Sequence, residues 1–230
     1  MFYPSKLQFR LLWLFGILGT ATTGSYLFAA PVVGIGSSVF KRRPLLSWSR
    51  SKTVKPLDGW FEAGSHPDDY EMGADRRTTY DGTASGTVQG KHNGSEGFGT
   101  LMQVFDARAY QGQRLRLTGY VKAKAVEDWA GLWMRVDSAS GQVLSFDNME
   151  NRSIQGTTEW QPYDIVLDVP VESNNIAFGL LLAGDGQVWM DNLQFEVVDA
   201  HTPTTAISLE QSSETRQLTE SPANLSFETF

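Results

Sequence analysis

The chain contains no cysteine, which removes disulfides and thiolate metal sites at once. Histidine is almost as scarce. His66, His92 and His201 are scattered and no H-E-x-x-H pair occurs, so a zinc hydrolase has no ligands to draw on. No serine sits in a G-x-S-x-G elbow, and there is no G-x-x-x-x-G-K phosphate loop. The acid pairs Asp68-Asp69 and Glu127-Asp128 are adjacent, so their side chains diverge. Glycosidase carboxylates instead face each other across roughly 5–9.5 Å. A catalytic role is therefore not expected.

Acidic residues are missing from the first 55 positions, which carry eight basic ones: Lys6, Arg10, Lys41, Arg42, Arg43, Arg50, Lys52 and Lys55. The remainder holds 11 Lys+Arg against 26 Asp+Glu, a balance of -15 that the overall -7 conceals. A globular part this acidic repels a phosphate backbone, which argues against nucleic acid as its partner.

Charge of either sign is absent from Leu11 to Phe40. About 20 apolar residues span a bilayer, so this stretch predicts a transmembrane helix over about 11–32, ending near Pro31. A cleaved secretory signal, with Gly19-Thr20-Ala21 as its small-residue site, is the competing reading. Six basic residues in 41–55 follow the run and two precede it, which predicts a single-pass membrane protein with the downstream part on the cytoplasmic side. The same cluster, interleaved with Leu45, Leu46 and Trp48, suits contact with a lipid bilayer.

From Pro56 onward the pattern changes to period two. Arg114–Lys124 alternates Leu115, Leu117, Gly119, Val121 and Ala123 against Arg114, Arg116, Thr118, Tyr120 and Lys122. Ala130–Asp137 places Leu132, Met134 and Val136 on one face and Trp133 and Arg135 on the other. Further strands are predicted at Tyr70–Thr78, Ala84–Lys91, Phe98–Phe105 and Gln142–Asn148, and three more between Trp160 and Val198. About nine strands separated by Gly, Pro, Asn and Asp turns make an all-β chain, an antiparallel two-layer sandwich. Residues 199–223 are rich in Ser, Thr and Glu, carry little apolar periodicity, and read as a flexible linker.

The stretch Trp160–Val198, closing on Val188-Trp189-Met190-Asp191-Asn192-Leu193-Gln194-Phe195-Glu196, resembles the end of a jelly-roll domain of the carbohydrate-binding-module, or galactose-binding-like, type. The opening Leu57-Asp58-Gly59-Trp60-Phe61-Glu62 resembles that of small bacterial jelly-roll modules, some attached to transcriptional regulators. In those modules a strand of the type Asn-Leu-x-Phe-Glu precedes Gly-Trp-Phe. Here Val54-Lys55-Pro56-Leu57-Asp58 stands in its place, while Asn224-Leu225-Ser226-Phe227-Glu228 lies at the far end of the chain. One reading is that 224–230 returns as an edge strand, within the chain or in a neighbouring copy; the other is that a second module begins there.

The organisation expected is thus a membrane anchor at 1–40, a basic segment at 41–55, a jelly roll at 56–198, a linker at 199–223 and a returning strand at 224–230. Such modules stack aromatics on sugar rings and bond hydroxyls with polar side chains. Trp133 and Arg135, joined by Gln103, Tyr120 and Arg116 on one sheet and by Asp147 and Asn148 at a strand end, form the expected groove for a glycan or small polar ligand. Trp60, Trp160 and Trp189 are expected in the core or packed on turns. The resemblance also implies a structural Ca²⁺ shared by Asp191 and Glu228 (or Glu62), against a plain turn or bulge role for Asp191. A membrane-tethered binding module is the function expected, with docking onto a protein partner in a larger assembly as its rival.

Overall fold

A computed structural model describes residues 54–91, 93–207 and Leu225. Nine strands appear among them: β1 (Phe61–Gly64), β2 (Tyr70–Asp75), β3 (Ser85–Gly90), β4 (Phe98–Asp106), β5 (Gln113–Ser138), β6 (Val143–Asp147), β7 (Ile154–Val169), β8 (Ser173–Ala183) and β9 (Gln187–Val198). Every pairing is antiparallel.

The two alternating runs expected as separate strands are one 26-residue strand, β5. Its first half pairs β7 on one side and β9 on the other, and its second half pairs β8 and β6. The sheet order β1-β4-β8-β5-β9-β3-β2 therefore folds over through β5 into two facing layers. The bend falls at Ala125, in the left-handed region at φ 51°. Gly186 makes the crossing there passable, because a Cβ on it would stand 2.7 Å from the Ala125 carbonyl oxygen.

Period-two alternation does what it predicts. Leu115, Leu117, Leu132, Met134 and Val136 of β5 join Ile176, Phe178, Leu180 and Leu182 of β8 in one apolar cluster between the layers. Phe195 of β9 meets Phe105 and Phe178 edge-on across it, at 5.2 and 4.9 Å between ring centres. Trp60 and Trp189 are buried, whereas Trp160 is half-exposed.

Two expectations change. The linker reading of 199–223 fails for its first part. Arg114 grips Asp168 through Nε and Nη2 and donates from Nη1 to the carbonyls of Ala200 and Thr202, both at 2.6 Å. Thr205 exchanges hydrogen bonds with the Val166 backbone, and Ile207 N–H bonds the Phe146 carbonyl at 2.9 Å. Residues 200–207 thus form a strap across β7 that ends on β6, held by backbone groups that composition does not reveal.

The single-pass membrane placement is also corrected. Among the described residues no helix is long and apolar enough to cross a membrane. The segment 11–32 that suggested one, and the cationic stretch 41–53, lie outside the described residues. So do residues 224 and 226–230; Leu225 itself is half-buried against the main core.

Candidate binding faces

The residues expected to share one groove fall in different places. Gln103 stands opposite Phe178 on the inner side of β4 and is buried with the core, because alternation along β4 turns it away from Thr100, Met102 and Val104. Tyr120 and Arg116 belong to the first half of β5, so the fold-over carries them to the outer face of the other layer. Asp147 faces inward opposite Met134, wholly buried, with Arg152 Nη2 at 2.6 Å and the Met149 N–H at 2.8 Å on its oxygens. Asn148, also buried, accepts the Glu150 N–H. Both serve the turn after β6 rather than a ligand.

Trp133 and Arg135 do share the outer face of the β1-β4-β8-β5-β6 layer, but that face is not an open platform. Trp133 is 1% exposed, opposite Gly179, and its Nε1 donates to Thr100 Oγ1 at 2.7 Å. Around it lies a second apolar cluster of Phe98, Trp129, Val143, Phe146, Ala177, Leu181 and Ala183, with Ile207 of the strap against its margin. Small residues on β8 leave room for the two indoles. Arg135 closes one end of the patch. Its Nε lies 2.9 Å from Asp137 Oδ1 and its Nη2 2.9 Å from Oδ2, to which Asn175 also donates.

Trp129 was missed by the sequence reasoning. It sits four positions before Trp133 on the same face, about 13 Å away along an extended strand. It is 7% exposed, and its Nε1 has no hydrogen-bond partner among the described residues. A buried indole N–H is a donor only, and leaving it unpaired costs about 1–3 kcal/mol. The i, i+4 pair of tryptophans on an alternating strand was the available signal.

The opposite face has a different character. Tyr80, on the loop between β2 and β3, stacks on Tyr120 at 3.7 Å and 13° between planes, and Trp160 meets Tyr80 edge-on at 5.9 Å. Lys122 pairs with Glu159 beside them, and Arg116 reaches Glu196 at 3.2 Å and Asp164 at 3.8 Å.

Beneath the loop lies Asp191, opposite Tyr120 where the β5–β9 register shifts, next to Asn192 at φ 49°. Its Oδ2 accepts the N–H groups of Tyr80 at 2.7 Å and Asp81 at 3.1 Å, and its Oδ1 that of Asn192 at 2.7 Å. Burial pushes its carboxyl above the ordinary range, and these N–H groups oppose that shift. With these three donors on its oxygens, Asp191 anchors the loop that carries Tyr80. Among the described residues no cluster of three or more metal-ligating side chains occurs. Glu62 lies exposed on β1, and Glu228 lies outside the described residues.

No protein-family model matches the chain. It is 48% identical over 190 residues to a Bacillus subtilis (strain 168) protein named as the uncharacterized HTH-type transcriptional regulator YbfP. That match covers 82% of this chain and 63% of the relative's length. Among solved structures, the chain is similar to the CBM22-1 xylan-binding domain of Paenibacillus barcinonensis Xyn10C, at 18% identity, TM-score 0.45, over 65% of this chain and 92% of that one. It is also similar to TmCBM61 in complex with β-1,4-galactotriose, at 11% identity and TM-score 0.43 over 62% and 91%. The enzymatically active domain of bacteriophage CBA120 tailspike protein 4 is a further likeness, at 12% identity and TM-score 0.49 over 61% and 20%. At these scores a neighbour's ligand says nothing about the residues of this chain.

Proposed function

We propose that the chain is a non-catalytic binding module whose ligand, a short glycan or other small polar molecule, lies on the outer face of the β1-β4-β8-β5-β6 layer. The observation that carries this is the unpaired Nε1–H of Trp129, buried in an aromatic patch and without an acceptor among the described residues. A small-molecule site usually sets a few polar groups among apolar and aromatic side chains. Here the apolar groups are Trp129, Trp133 and Phe146, and the polar ones are the Trp129 donor and the Arg135–Asp137–Asn175 cluster. The indole and its neighbours are covered, so a ligand reaches this donor by parting the patch, and its hydroxyl or ring oxygen then supplies the missing acceptor.

The absence of catalysis is supported by how the buried carboxylates are engaged. Asp75 accepts from Trp189 Nε1, Asp137 from Arg135 and Asn175, Asp147 from Arg152, and Asp191 from three backbone N–H groups. A carboxylate held by fixed donors is poorly placed to move a proton to or from a substrate. The name of the Bacillus relative supports a regulatory setting, in which ligand occupancy of this module is the signal a transcriptional regulator reads.

Calorimetric titration with xylohexaose and β-1,4-galactotriose tests the site. Trp129→Phe keeps an aromatic ring but removes the donor and part of the buried ring volume, so it should weaken binding about tenfold, a factor equal to about 1.4 kcal/mol, with far-UV circular dichroism showing that the fold is retained. Equal affinity in wild type and variant would refute the placement.

A further inference from the structure

We propose that the outer face of the other layer carries a second, separate site for a neutral sugar ring, built by Tyr80, Tyr120 and Trp160 and held in shape by Asp191. This goes beyond the site above and shares no residue with it.

Exposure comes first. Tyr80 is 43% exposed, one of few large apolar side chains so placed among the described residues, and Tyr120 and Trp160 are half-exposed. A single exposed aromatic is ordinary, but three in mutual contact make an exposed apolar patch. Here the near-parallel Tyr80–Tyr120 pair and the perpendicular Trp160 edge make a shelf with solvent on one side.

Rigidity comes second. The loop carrying Tyr80 has no regular structure, yet it is bonded from below throughout. Arg77 N–H bonds Asp75, the Thr78 carbonyl takes the Ser85 hydroxyl at 2.6 Å, and Tyr80 and Asp81 both donate to the buried Asp191. Asp75 is itself fixed by Trp189 Nε1 at 2.8 Å. A loop ordered before the ligand arrives avoids the entropy loss that weakens binding by mobile segments.

Charge comes third. Lys122 and Arg116 are engaged by Glu159, Asp164 and Glu196, and Asp81 adjoins Tyr80. Arg76 and Arg77 stand exposed on the same loop, so charges of both signs surround the shelf and neither an anion nor a cation is selected. A bare organic cation prefers rings splayed around a hollow. The 3.7 Å Tyr80–Tyr120 separation leaves none between them. What remains is a neutral ring with a flat C–H face to lie on an aromatic and hydroxyls for Lys122, Glu159 and the phenols.

The test uses the full chain in affinity electrophoresis through gels containing soluble xylan or galactan, with titration by xylohexaose and β-1,4-galactotriose. Tyr80→Ala and Trp160→Ala should each remove one class of sites and weaken binding of at least one neutral glycan about tenfold. Tyr80→Phe should restore most of it, and Asp191→Ala should mimic Tyr80→Ala. The same measurements on a Trp129→Phe background, where the first site is weakened about tenfold, leave this face as the tighter class of sites, so it is judged whether or not the first site stands. Unchanged binding in both alanine variants, no binding of either glycan to the Trp129→Phe protein, or binding of tetramethylammonium with competition against the glycan would each overturn the proposal.

Discussion

Replacing Trp133 with alanine separates a buried structural indole from an exposed sugar platform. The side chain is 1% exposed, packed among Phe98, Trp129, Phe146 and Leu181, and its N–H is satisfied by Thr100 Oγ1 at 2.7 Å. Truncating a buried tryptophan costs about 3–5 kcal/mol through lost transfer energy and the cavity left behind. Thr100 loses an incoming donor but keeps its own bond to the Leu180 carbonyl at 2.9 Å, so no new orphan is made there. For a domain of this size each kcal/mol lowers the melting temperature by about 2–4 °C, which puts Trp133→Ala about 6–20 °C below wild type. Trp133→Phe keeps a ring and loses the N–H, with an expected cost near 1–2 kcal/mol. Urea unfolding followed by circular dichroism gives both values, with a constant m-value showing that compactness is unchanged. If Trp133→Ala lies within about 0.5 kcal/mol of wild type, as at an ordinary surface position, the packing argument is wrong and Trp133 is an open platform after all.

Arg152→Met strands the buried Asp147 carboxylate and should cost about 3–5 kcal/mol, most of it recovered in the double variant Arg152→Met/Asp147→Leu, as read by chemical denaturation. Arg114→Lys loses the paired grip on Asp168 and the carbonyls of the strap. Hydrogen exchange at the Thr205 and Ile207 amides should then quicken severalfold while β8 amides stay protected; equal protection would show that the strap is held elsewhere. Donation by the Gly94 N–H, and then by that of Ser95, holds the Asp185 carboxyl below the ordinary carboxylate range. Its stabilising contribution is therefore present above about pH 4 and lost as pH falls through the lowered folded value. Denaturation midpoints of wild type and Asp185→Asn should converge on acidification, and parallel curves would contradict the assignment.

The layered fold was legible because burial on one side of a strand writes itself into every second residue. Leu132, Met134 and Val136 had to face one way and Trp133 and Arg135 the other, and they do. What period two cannot encode is which layer a face belongs to. The single strand β5 crosses between layers at Ala125, so Tyr120 and Trp133 share a strand yet stand on opposite outer surfaces. The strap was invisible for a related reason. Ser- and Thr-rich sequence lacks an apolar face, and residues 200–207 are fixed by backbone carbonyls and N–H groups that every sequence possesses.

Depth was the other missing quantity, and it explains why the expected groove dissolved. Whether an outward side chain is open to water depends on what is laid over it from elsewhere in the chain. Trp133 lies beside Trp129, Phe146 and the end of the strap, while Tyr80 stays in solvent. Asp191 shows the same limit for polar groups. A lone Asp before a last strand fits a metal ligand, a bulge residue or a loop anchor equally well. The choice is made by two N–H groups 111 and 110 residues earlier in the chain. Three N–H donors fix those oxygens, two of them from the loop that carries Tyr80, so Asp191 is committed to holding that loop.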